Sequence, residues 1–131
     1  MQNFYIAVIL LSILVVSCAK PKVKMDLTYS VNVPEKYIEK ISDLKGKGNV
    51  YKNVDLEVHY RTQHREGWEE CLSMFLDGRL QEDSKVSLKQ YWSVHEEADK
   101  AGFNLCKSSI FKMLEHYSEK DLKEYIRTKS P

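Results

Sequence analysis

Residues 22–33 alternate with a period of two. Val23, Met25, Leu27, Tyr29, Val31 and Val33 fall on one side, and Lys22, Lys24, Asp26, Thr28, Ser30 and Asn32 on the other. Such alternation predicts a long, half-buried strand. Pro34 ends it and suits the first turn of a helix. Tyr37, Ile38, Ile41 and Leu44 then recur at helical spacing to about residue 45, where Lys45-Gly46-Lys47-Gly48-Asn49 stops the element. A second alternation sets Val54, Leu56, Val58 and Tyr60 against Asp55, Glu57, His59 and Arg61. It predicts a second strand. If the two strands pair directly, a right-handed parallel crossover joins them.

From Gln63 the period becomes helical. Trp68, Cys71, Leu72, Phe75 and Leu76 form one stripe, closed by Asp77-Gly78 and followed by a polar loop over 81–84. Ser87 and Gln90 make a capping box. The helix they open carries Leu88, Tyr91, Trp92 and His95 on one face and ends at Gly102, a C-cap residue type. Ser93 with Glu96 is an alternative start. Phe103, Cys106, Ile110, Met113, Leu114 and Tyr117 make the next stripe. Ser118 and Asp121 cap a last helix carrying Leu122, Tyr125 and Ile126. The expected fold class is therefore α+β. Two long strands and about five helices surround one core, in a single globular domain over 22–128 with a helix-rich second half.

The formal net charge of the 131 residues is +1. A nucleic-acid partner would favour a strongly basic domain, so none is expected. The local exception is Lys20, Lys22 and Lys24. Near an anionic membrane surface each such charge is worth ~1 kcal/mol.

Residues 1–17 carry no charged side chain, and their apolar run over 4–16 is too short for a bilayer span, which needs ~20 residues. Its length suits the apolar part of a signal peptide, ~7–15 residues. The run ends in Val15-Val16-Ser17-Cys18. This stretch resembles a lipobox, the processing site of bacterial lipoprotein precursors. The resemblance covers residues 1–18 only. It departs from the usual pattern at Met1-Gln2-Asn3, which offers no Lys or Arg. It implies that residues 1–17 are removed, that Cys18 is acylated, and that residues 18–21 form a short tether on a lipid bilayer. In diderm bacteria an Asp after the cysteine often retains a lipoprotein at the inner membrane. Ala19 implies instead the outer membrane, facing the periplasm.

With Cys18 assigned to lipid, Cys71 and Cys106 remain as an even pair in an exported chain. A disulfide between them is expected. The alternative is two separately buried thiols, which pack as small hydrophobes. Neither cysteine has a second Cys or His at zinc-ligand spacing, so no metal is assigned to them.

None of the four histidines stands in an H-E-x-x-H arrangement, and there is no C-x-x-C, no G-x-S-x-G and no phosphate-cradling glycine loop. No catalytic set and no cofactor are assigned. The densest polar cluster is His59, Arg61, His64 and Arg65. A strand–helix corner there would place arginine forks near free helical N–H groups, a candidate anion site. The competing account is a solvated corner whose charges pair with Glu57, Glu66 or Glu69. Zinc held by His59, His64 and Glu69 lacks a close ligand pair to anchor it. Trp68, Trp92 and the tyrosines could stack on sugar, although most lie on the periodic core faces.

The functional expectation is a membrane-anchored envelope lipoprotein whose domain binds another envelope protein or a cell-wall component without catalysis. The alternative is a small hydrolase or anion-binding protein acting at His59, Arg61, His64 and Arg65.

Overall fold

A computed structural model describes residues 23–38, 55–87 and 93–129. Cys18 and its flanks, the helix expected beyond Ile38, and the Ser87–Gln90 cap with Leu88, Tyr91 and Trp92 lie wholly or partly outside those residues. Among the described residues there are a short 3-10 turn, Glu35–Tyr37, and three helices: α1, Leu56–Leu76; α2, Ser93–Leu114; and α3, Glu119–Lys129. No strand occurs among them, so the α+β expectation is overturned.

The second alternation is the start of α1, not a strand. Asp55 caps it, its side chain accepting from the N–H groups of Glu57 at 3.0 Å and Val58 at 3.2 Å. The ambiguity has a simple cause. An offset of four residues returns to the same face in a strand and in a helix, so Leu56 and Tyr60 fit both. Val58, which only a strand would bury with them, is 55% exposed. The buried stripe instead continues Leu56, Tyr60, His64, Gly67, Trp68, Cys71 and Phe75, at spacings of three and four apart from the adjacent Gly67 and Trp68.

The first alternation is real, but it serves a different partner. Along 24–33 the apolar residues turn inward and Lys24, Asp26, Thr28, Ser30 and Asn32 stay exposed. Met25, Leu27 and Tyr29 pack on a core of Trp68, Cys71, Phe75, Phe103, Cys106, Ile110, Met113, Leu122 and Ile126. Val31, Val33 and Tyr37 pack with Leu56, Tyr60, Val94 and Ala98. The segment is an extended strap lying on helices.

Gly102 does not end a helix. It lies inside α2, where two separate helices were expected. A Cβ on Gly102 would lie 1.8 Å from the His64 carbonyl oxygen, and one on Gly67 would lie 2.2 Å from that of Asp99. The glycines are therefore placed by close backbone approach of α1 and α2. One turn further along each helix, Cys71 and Cys106 form the expected disulfide, with Cα atoms 6.0 Å apart and both residues fully buried. A bridge closing 35 residues stabilises by roughly 3–4 kcal/mol on the chain-entropy argument.

Direction follows from register. His59 meets His95, the backbone of His64 meets Gly102, and Cys71 meets Cys106. Both numbers rise together, so α1 and α2 run parallel. Residues 77–87, after α1, turn back along the pair against both helices. Ser84 accepts from Lys107 at 3.0 Å, and the Ser87 N–H reaches the Glu70 carboxylate. The strap runs the opposite way to the helices. Its Val23 carbonyl accepts from Tyr117 after the end of α2, and its Tyr37 stacks on Tyr60 near the start of α1. Gly78, at φ 73°, terminates α1 as the sequence predicts. Ser118 caps α3 by accepting from the Asp121 N–H at 3.1 Å. Leu122 and Ile126 of α3 then close the end of the core.

Candidate functional site

His59, Arg61, His64 and Arg65 all lie on α1, so the strand–helix corner expected of them is absent. The helix separates them by its own geometry, since successive residues turn by about 100°. His64 points into the core and is buried. Its Nδ1 meets the Tyr29 hydroxyl at 2.8 Å, and the two rings lie 5.5 Å apart. Burial holds the His64 ring below the ordinary histidine pKa, which favours the neutral form. Burial also raises the Tyr29 phenol, with Arg65 opposing it. The neutral pair is thus the stable one.

Arg61 and Arg65 share the outer face of α1, four residues apart. Arg61 is held by the Glu57 carboxylate at 3.2 Å. Arg65 lies over the Tyr29 ring, 4.8 Å from its centroid. With Thr62, Glu66 and Glu69 they line a shallow, open hollow. The two arginines can meet an anion there, but the two glutamates compete for the same charge.

His59 turns to α2. Its Nδ1 lies 2.9 Å from His95 Nε2, with ring planes 8° apart. One nitrogen must donate and the other accept, so the bond does not survive if both rings are charged. Burial, then the charge of His59, depresses the His95 pKa, while Glu66 opposes this. Glu69 lines the hollow, whereas His64 meets Tyr29 and His59 meets His95. Among the described residues no group of three or more His, Cys, Asp or Glu side chains can hold a metal ion.

The polar seam between α1 and α2 was not found from sequence. His59, Gln63, Glu66 and Glu70 recur at spacings of four and three along α1, opposite His95 and Asp99 on α2. Asp99 is 5% exposed, and its carboxyl is pushed up to about 6 by burial and by the charges of Glu66 and Glu70. Gln63 Oε1 is buried without a hydrogen-bond partner. The signal was available in the four-residue offset of His95 and Asp99. It was hidden because only a helix partner at the right register gives that face a meaning.

At the same end of the pair, Tyr37 donates to Glu97, which also pairs with Lys36 at 3.0 Å. The Tyr37 bond is the main cause of a Glu97 pKa below the ordinary glutamate value. Trp68 is buried against the edge of the Tyr29 ring and cannot offer a sugar-stacking face. Trp92 lies outside the described residues. No protein-family model, no curated protein and no solved structure matches the chain.

Proposed function

We propose that the chain is a lipid-anchored protein of a bacterial cell envelope whose helical domain is a non-catalytic binding module. The observation that carries this reading is the Cys71–Cys106 disulfide, buried in the core. Disulfides persist mainly in exported, oxidising compartments. The bridge leaves Cys18, in its lipobox-like setting, as the remaining cysteine. Acylated there, the chain has about five residues before the strap, a reach of at most ~18 Å. The strap begins beside Tyr117. On this reading the α2–α3 end faces the membrane, and the end bearing His59, His95 and Tyr37 faces a partner protein or cell-wall component. In a diderm cell the site of action is the periplasmic face of the outer membrane.

The test is the intact mass of the membrane-extracted protein, with and without reduction before alkylation. The expected mass lacks residues 1–17 and carries a diacylglyceryl-sized addition, with two alkylations only after reduction. An unprocessed, unlipidated mass would remove the anchor. Crosslinking in intact cells would then identify the partner.

A second reading places a phosphate or carboxylate at the hollow of Arg61, Thr62 and Arg65. Phosphate titration followed by amide NMR tests it. Shifts confined to residues 61–69 and lost in Arg65→Ala would support it, and no saturable shift would rule it out.

A further inference from the structure

Two buried groups in the seam between α1 and α2 are unexplained by packing. Gln63 Oε1 is an acceptor without a donor. Asp99 is a buried acid whose charged neighbours, Glu66 and Glu70, are both carboxylates. His59 and His95 meet across the seam, and Gln63 and Asp99 each lie one turn further along their own helix, with the Asp99 backbone against Gly67. Gln63 also shares its face of α1 with His59 and Glu66, which act on His95, and with Glu66 and Glu70, which act on Asp99. A buried acceptor that shares a seam with a buried acid is satisfied if that acid keeps its proton and donates it.

We propose that protonated Asp99 donates to Gln63 Oε1, making the N-terminal halves of α1 and α2 a joint that loosens when Asp99 ionises. The rest of the pair is locked. Beyond the joint stand the glycine crossing at Gly67 and Gly102 and the Cys71–Cys106 bridge. Loss of the proton therefore opens one end only. The groups that face the joint are His59, Glu66 and Glu70 from α1 and His95 from α2. The return segment supplies the Ser87 N–H, which is engaged by Glu70. Neither glutamate can stabilise ionised Asp99. The raised carboxyl value places the transition near pH 6.

The experiment is hydrogen–deuterium exchange on the oxidised chain at about pH 5 and about pH 7.5, corrected for intrinsic exchange. Protection of residues 58–66 and 95–101 is expected to fall about tenfold or more with rising pH, while residues 71–76 and 106–113 hold theirs. In Asp99→Asn, whose amide donates at every pH, the fall is expected to vanish and leave only the opposite trend set by the depressed His95. A uniform fall over both halves, or an unchanged fall in Asp99→Asn, overturns the proposal. A carboxyl carbon NMR titration of the unmodified chain provides a second readout if that variant does not fold. A midpoint near 6 for Asp99 supports the joint, and one near 4 overturns it.

Discussion

Gly102 lies against the carbonyl oxygen of His64 so closely that a single methyl group between them would sit 1.8 Å from that atom. The obstacle is backbone on a neighbouring helix, which cannot rotate away. Gly102→Ala is therefore expected to destabilise by about 3 kcal/mol or more, at or above the upper end of ordinary overpacking. Gly67→Ala meets the Asp99 backbone in the same way and should cost as much. Urea unfolding of the oxidised protein measures both. A loss below 1 kcal/mol at either site would mean that the helices do not approach so closely.

The strap makes a directional prediction about alternate residues. Leu27 packs on the main core, whereas Ser30 faces water. Leu27→Asp should cost roughly 2–3 kcal/mol through lost burial and a desolvated charge. Ser30→Asp should change stability by no more than ~0.5 kcal/mol. Equal effects in a denaturant titration would mean that the segment does not lie on the helices.

Tyr29 is tied to the core through His64. Removing its hydroxyl leaves the buried Nδ1 without that bond. Tyr29→Phe is expected to lose about 1–3 kcal/mol, the cost of an unsatisfied buried group. Proton NMR of the His64 ring gives an independent readout of the altered environment.

The pH dependence of stability has opposed parts. The folded-state pKa of Asp99 is raised to about 6. Its contribution is full below the unfolded carboxylate value near 4 and is lost as pH rises through about 6. His64 and His95 are depressed by burial. Their contributions are present above the unfolded value near 6.5 and are lost as pH falls through the lower folded values. Asp99→Asn removes the first effect and leaves the second. Between about pH 5 and pH 7 the variant's urea midpoint should therefore rise with pH more steeply than that of the unmodified chain. Parallel curves would mean that Asp99 carries no linked proton in this range.

Part of the fold was legible residue by residue, although the α+β class was not. The alternation over 24–33 sorts inside from outside correctly, because period two describes any extended segment with one covered face, and only Val23 at its start is exposed against the pattern. It cannot say whether the cover is a strand or a helix pair. Leu56 and Tyr60 misled because their spacing suits both periods, and Val58 alone distinguished them. Gly102 read as a stop because a sequence shows a glycine's freedom but not the neighbouring backbone that needs its missing Cβ. The disulfide was accessible because Cys71 and Cys106 both sit on apolar stripes. The candidate anion set was not legible as a set. Its histidines turn inward and its arginines outward, and only a correct helix assignment separates them.

Parallel packing has an electrical consequence. Two helices running the same way place like poles side by side, roughly half a positive charge at each amino end. Here those ends add instead of cancelling. The sequence answers with Asp55 and Glu57 at the start of α1 and Glu96 in the first turn of α2. Lys112 stands in the last turn of α2, where the opposite pole emerges. The side chains thus oppose that polarity at both amino ends and at the carboxyl end of α2, whereas α1 has no basic residue in its last turn. Stripping those acidic first turns would leave an axial macrodipole pointing along the full length of the pair.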